Sequence, residues 1–186
     1  MVLKSLHILV LMGVLFTGAP EGRLLSQYKS KVQKKLTKVY ETSGQPTLKP
    51  LESKQPSLEL YQINHQLSTI GYLALREVKA CSLNGCTSQG SKIQHLASEY
   101  YDIAVFIDLA LTINQIIILD YFSDYGYEIS SKRYLNQYQG KYLPDFSPKT
   151  PLVDGVSGAT ISYDALIVSL EEIGKLIPKE IELNRE

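Results

Sequence analysis

Two apolar runs, Tyr100 to Leu111 and Ile113 to Phe122, follow one another almost without a break, and this adjacency limits the fold more than any other feature. Runs of strand length joined so tightly predict an antiparallel hairpin, with its turn at Thr112-Ile113-Asn114-Gln115. That turn lacks the Asp-Gly chemistry of the strongest hairpin connections, so it does not fix the register. Upstream, Leu58 to Asn64 alternates apolar and polar residues, and Gly71 to Val78 reads as its hairpin partner. Downstream, Ser130 to Gln139 predicts a short helix, and Tyr142 to Thr150, with Pro144 and Pro148, a loop. Ile161, Ala165, Leu166, Ser169, Leu170, Ile173 and Leu176 then recur at helical steps. There are no internal repeats. The expected class is α+β, a small antiparallel sheet with packed helices.

At 186 residues the chain suits one domain with a substantial core. Its formal net charge is zero, so no global charge points to nucleic acid. Residues 1–19 read as a signal peptide or N-terminal anchor: Lys4 precedes an apolar run from Leu6 to Phe16, broken only by His7, and Thr17-Gly18-Ala19 follows. The run is short of the roughly 20 apolar residues of a membrane span. Pro20 is a poor neighbour for cleavage after Ala19, which leaves both the cleaved and the anchored form open. Residues 20–57 divide into an amphipathic basic helix and a proline-containing linker. In the predicted helix, 24–42, Leu25, Tyr28, Val32, Leu36 and Val39/Tyr40 form one stripe, while Lys29, Lys31, Lys34, Lys35 and Lys38 take the other faces. The plain expectation is a helix packed on the domain by its apolar stripe; the sharper one is a basic helix against anionic lipid. Residues 43–57, with three prolines, read as a linker or irregular arm.

The chemistry-bearing segment is Asp154-Gly155-Val156-Ser157-Gly158-Ala159-Thr160-Ile161-Ser162, at the entrance to the last helix. A helix N-terminus carries unpaired N–H groups and partial positive charge, and so favours an anion. Gly158 and Ala159 keep side-chain bulk away, and Thr160 adds a hydroxyl at the same place. Ser157, Thr160 or Ser162 could each cap the helix, and Asp154 could fold the turn through its own side chain. On spacing alone, a turn with an N-cap and an anion site both fit.

Asp-x-x-Ser-Gly-Ala-Thr-x-Ser, as it stands at 154–162, resembles the flavinylation motif of the FMN-binding domain family. That family includes the flavin subunits of the sodium-translocating NADH:quinone oxidoreductase and Rnf complexes, and this chain is most similar to its small exported bacterial members. The resemblance implies FMN held covalently through a phosphoester to Thr160. It implies maturation by a magnesium-dependent flavin transferase that uses FAD and reads Asp154, Ser157, Gly158 and Ala159; Ser162 completes the motif. Tyr125 to Lys141 is similar to the family's strand, Gly-x-Glu-Ile turn and short helix ending in an aromatic-x-Gly-Lys signature, which brings in Gly126 and Glu128. Glu128 is either a partner for a ribityl hydroxyl or the ring edge, or a solvated turn residue. The similarity spans about residues 58–177, so 58–186 is the expected FMN-binding domain. The larger subunits carry a Thr-Pro-Gly-Leu-Gly-type turn where this chain has Tyr125-Gly126-Tyr127-Glu128, so ring contacts do not carry over.

The implied function is an exported flavoprotein domain relaying electrons to redox partner proteins, in the periplasm or on the outer face of the cytoplasmic membrane, and an electron carrier rather than a self-contained enzyme. The alternatives are an extracytoplasmic flavin-dependent reductase and a non-flavin exported binding module.

Cys81 and Cys86, the only cysteines, flank Ser-Leu-Asn-Gly and form the disulfide candidate of an exported chain; a pair exchanging electrons with the flavin is the other reading. With His65 and His95 they match no compact zinc spacing. No nucleophile–base–acid arrangement, Gly-x-Ser-x-Gly elbow or Walker lysine is present, so no catalytic residue is assigned. The 13 tyrosines, in a chain without tryptophan, suit a flavin pocket or the edges of an ordinary sheet.

Overall fold

Apolar runs joined by short turns pair most simply with their neighbours in sequence. The computed structural model, which describes residues 22–53, 55–80, 100–122, 126–149, 152–155 and 159–184, shows this meander. Five strands, β1 (Thr47–Leu51), β2 (Leu58–His65), β3 (Ser68–Lys79), β4 (Tyr100–Ile107) and β5 (Ile113–Tyr121), pair antiparallel in chain order. Among the described residues three α-helices accompany them: α1 (Arg23–Val39), the single turn α2 (Lys132–Leu135) and α3 (Thr160–Leu183). The class is α+β. Among the described residues no helix is long and apolar enough to cross a membrane.

Successive strand residues point to opposite faces, and here both faces are apolar. On one, Leu73, Leu75, Ala104 and Phe106 meet Leu24, Leu25, Val32 and Leu36 of α1. On the other, Ala74, Val78, Ile103 and Val105 meet Leu166, Ile167, Leu170 and Ile173 of α3. Each fully buried aliphatic side chain contributes about 1.5–3 kcal/mol. The plain expectation for the basic helix therefore holds: its apolar stripe is spent on the sheet.

α1 has neither a side-chain cap nor an acidic residue in its first turn. Glu59 of β2 supplies both from across the interface. Its Oε1 accepts from Leu24 N at 2.7 Å and its Oε2 from Leu25 N at 3.0 Å. The Tyr61 hydroxyl donates to Oε2 at 2.9 Å and accepts from Gly22 N at 3.3 Å. A Cβ at position 22 would collide with the Glu59 carboxylate, so a larger residue there would push that carboxylate off the helix amides. Farther along, Tyr28 leaves helical geometry (φ −111°, ψ 16°) and its hydroxyl donates to Asp102 Oδ2 at 2.8 Å. Asp102 is fully buried, its register partners are Glu77 and Asp120, and its Oδ1 has no partner. Burial raises the Asp102 carboxyl pKa, against the lowering effect of the Tyr28 hydrogen bond.

Several expectations need correction. The presumed linker 43–57 contains β1, which pairs with β2 from Thr47↔Asn64 to Leu51↔Leu60. The hairpin turn lies earlier than Thr112-Ile113-Asn114-Gln115. β4 stops at Ile107, Asp108 Oδ1 accepts from Ala110 N and Thr112 N, both at 2.8 Å, and Leu111 adopts φ 61°. An aspartate turning its own backbone replaces the missing Asp-Gly pair, and Ile113 to Gln115 belong to β5. The helix expected over Ser130–Gln139 is divided into a 3-10 turn (Tyr127–Ser130), α2 and a second 3-10 turn (Asn136–Tyr138). Ser131 interrupts it with extended backbone and caps α2, its hydroxyl accepting from Tyr134 N at 3.3 Å. The chain then doubles back along the start of β5: Gly140 N donates to Ile113 O at 2.8 Å and Ile113 N to Lys141 O at 2.9 Å. α3 outruns its periodic stretch and continues through Pro178. Residues 1–19, Cys81, Cys86 and His95 lie outside the described residues.

Glu59→Ala removes acceptors from two helix-end amides and lowers unfolding stability by about 1–2 kcal/mol in urea titrations, with Glu59→Gln losing less. Asp102 gives a pH signature. Its folded pKa is raised, so the folded state binds the proton more tightly than the unfolded chain. Its contribution is complete below the ordinary aspartate value of 3.8 and declines as pH rises through the raised value. Stability measured over that range falls with pH, and Asp102→Asn removes this component of the slope.

Candidate functional site

The site is built around the start of α3. Thr160 is the first helical residue and is exposed, while Ala159 before it is buried, with 2% of its surface accessible. Ala159 adopts φ −124°, ψ 27°, and its carbonyl accepts from Tyr163 N at 2.8 Å, closing the first turn. Of the three hydroxyls considered as caps, Thr160 and Ser162 lie inside the helix and do not cap it; Ser157, with Gly158, lies outside the described residues. An exposed threonine therefore stands at the positive end of a 24-residue helix, with no side-chain cap hydrogen bond among the described residues.

That end is held firmly to the sheet. The Tyr101 hydroxyl of β4 donates to the Ser162 carbonyl at 2.6 Å in a buried contact. The Tyr121 hydroxyl of β5 and Ser162 Oγ share a hydrogen bond of 2.7 Å. The two rings stack with centroids 5.3 Å apart. Burial drives the Tyr101 phenol well above its usual pKa, so it stays a neutral donor.

Gly126 closes the same corner from the other side. Its φ of 80° is the left-handed conformation that glycine adopts freely. A Cβ there would strike Ser162 Oγ and lie 2.9 Å from the Tyr121 hydroxyl. The Gly-x-Glu-Ile turn and the Thr160 motif, far apart in sequence, are thus brought together by Ser162 and Tyr121. Glu128 stands in the 3-10 turn that Gly126 opens, half-buried, with Oε2 lacking a hydrogen-bond partner. That oxygen is a buried acceptor without a donor among the described residues.

Tyr163 orders the approach to the helix. Its hydroxyl donates to Val153 O at 3.0 Å, which ties the 152–155 segment to the first turn. Burial, followed by the Asp164 and Asp154 carboxylates, raises its pKa. Asp154 and Gly155 are exposed. The turn that Asp154 was expected to fold runs into residues outside those described.

Two clefts border the junction. One, of about 310 Å³, is walled by Ile161, Ala165 and Val168 of α3 and by Arg76 and Lys79 of β3. Arg76 pairs through Nη2 with Glu172, and its Nε and Nη1 are buried without partners. The other, of about 340 Å³, is lined by Gln137, Lys141, Leu152, Val153 and Asp154. Sequence reading did not single out Tyr101, Tyr121, Tyr163 or Arg76. The only signal for the tyrosines was their abundance, which does not say which of them meet.

No protein-family model matches the chain, and no curated protein matches it.

Gly126→Ala combines left-handed strain with a collision at Ser162 and lowers stability by about 1–3 kcal/mol. Ser162→Ala alone loses the Tyr121 hydrogen bond, at about 1 kcal/mol. Together they cost less than the sum, because the hydroxyl that the new methyl strikes is gone; thermal unfolding of the four variants measures this coupling.

Proposed function

We propose that the domain carries FMN on Thr160 as a phosphoester and relays electrons between partner proteins outside the cytoplasm, as a member of the FMN-binding domain family. The observation that carries this reading is the exposed Thr160 at the start of α3, where no side chain among the described residues caps the helix. A structural N-cap would turn its oxygen back onto the helix amides; Thr160 instead lies inside the helix, is exposed, and makes no cap hydrogen bond among the described residues, at the end of the helix that favours an anion.

Attachment balances as a transfer from FAD. The Thr160 oxygen forms a bond to the FMN phosphorus, the pyrophosphate bond breaks, AMP leaves and the hydroxyl proton is released. A separate magnesium-dependent transferase performs this, with Asp154 exposed ahead of the acceptor for it to read. Once bound, the flavin supplies the one- and two-electron chemistry. The chain's own residues position it. The helix end stabilises the remaining phosphate charge by about 0.3–1 kcal/mol when exposed and up to ~2 kcal/mol when partly buried. Ser162, Tyr121 and Tyr101 keep the attachment point from moving relative to the sheet. Glu128 Oε2 offers an acceptor to a hydroxyl or ring N–H, and Ile161 and Val168 offer apolar surface beside the tether.

Co-expression of the full chain with the transferase tests the proposal. Wild type gains the mass of one FMN and a flavin absorption spectrum. Thr160→Ser retains both to some degree because the hydroxyl is kept, and Thr160→Ala loses both. Flavin mass persisting in the alanine variant sinks the assignment, and a colourless wild type favours a plain binding module.

A further inference from the structure

Although its formal net charge is zero, the chain is not neutral everywhere. α1 contains Arg23 and five lysines and no Asp or Glu. α3, on the opposite face of the sheet, contains five carboxylates and two lysines. The sheet thus separates a basic layer from an acidic one. Within α1, Arg23 is neutralised by Glu77 at 2.8 Å, and Lys31 spends its Nζ on the Ile118 and Leu119 carbonyls at 3.2 and 2.6 Å. Lys29, Lys34 and Lys38 are exposed on the outer surface. Lys132, exposed on the short α2 whose buried Tyr134 and Leu135 pack in the α3-side core, stands near enough to Lys35 for the two charges to repel. Burial lowers the Lys35 pKa, and Lys38, Lys132 and Lys31 lower it further, so these ammonium groups feel one another. Beside them a polar hollow of about 600 Å³ runs between α1 and the following turn, with Lys29, Lys34, Ser43 and Gln45 on its walls.

We propose that the lysine face of α1, extended by Lys132, docks on an anionic lipid bilayer and holds the α3 side of the sheet, with Thr160, away from the lipid. Charge complementarity selects the sign of the partner. Position in the chain selects its kind: the apolar run Leu6 to Phe16 lies just ahead of α1, so the basic face follows directly on the segment with the greatest affinity for lipid. The mode of contact follows from packing. The apolar stripe of α1 is committed to the sheet, so the helix does not insert. It rests on head groups through ammonium–phosphate contacts, and salt screens the attraction. The acidic α3 layer is repelled by the same surface, which sets the orientation. This inference stands whatever Thr160 carries.

Cosedimentation of the full chain with phosphatidylglycerol/phosphatidylcholine vesicles and with pure phosphatidylcholine vesicles tests it. Binding is expected to favour the anionic vesicles and to weaken as sodium chloride rises. Lys34→Glu/Lys38→Glu/Lys132→Glu, confirmed folded by circular dichroism, is expected to lose more than about tenfold in affinity. Lys175→Glu/Lys179→Glu, on α3, keeps or improves the orientation and is expected to lose far less. Lysine acetylation mapped by mass spectrometry on bound protein reads the geometry: Lys34, Lys38 and Lys132 become protected and Lys175 and Lys179 remain reactive. Equal binding to neutral vesicles, protection of the α3 lysines instead, or an unaffected Lys34/Lys38/Lys132 variant each overturns the proposal. A chain that ignores anionic vesicles also overturns it and leaves an acidic protein as the partner for this face.

Discussion

A sheet with one oily face can leave the other in water; a sheet with two cannot. The alternating strands here place Leu73, Leu75 and Phe106 on one side and Ala74, Ile103 and Val105 on the other, all fully buried. Everything else follows from covering both. α1 and α3 serve as two lids, and they are fastened differently. α1 is anchored by polar groups that reach up from the strands: Glu59 and Tyr61 at its start, Asp102 at its middle. α3 is fastened by two tyrosine hydroxyls at its first turn and by apolar packing along its length. In each case the sheet supplies what the helix terminus lacks, so neither helix end can be understood from its own sequence.

This explains what could and could not be read beforehand. Strand-forming runs, the periodicity of α3 and the apolar stripe of α1 are local patterns, and local patterns were legible: the antiparallel sheet, its packed helices and the way α1 packs all correspond to the sequence reading. Three features hid because their cause lies at a distance or in atypical chemistry. β1 looks like linker because Pro50 and its polar neighbours suit an arm; pairing with β2 makes it a strand. The β4–β5 turn depends on the Asp108 side chain folding back on the next four residues, a signal weaker in sequence than Asp-Gly. The division of the 130–139 helix turns on Ser131 taking extended backbone.

At the candidate site the sequence located the loop-to-helix junction and the Gly126–Glu128 turn but not what unites them. Gly126 is tied to the junction through Ser162 and Tyr121, a three-residue contact spanning β5, a left-handed turn and α3. No spacing rule predicts such a contact. It also divides the labour within one short motif. Thr160 and Asp154 face outward, available to other molecules, while Ala159 and Ser162 face inward and fix the frame. Adjacent residues in a helical first turn point in different directions, and here that geometry separates an exposed threonine from a buried, structural serine only two positions away.

Among the described residues the sheet is open rather than closed into a barrel, so it has two borders where a foreign strand could add. Neither invites one. At one border β1 is short, mostly exposed and interrupted by Pro50, which has no N–H to offer a newcomer. At the other, the returning backbone of Gly140 and Lys141 and the bridge between Thr112 and Tyr142 already occupy the start of β5. A protein crowded at a surface meets copies of itself at high local concentration, where unguarded borders template polymerisation. These blunted ends let the domain be packed densely side by side and remain a set of separate molecules.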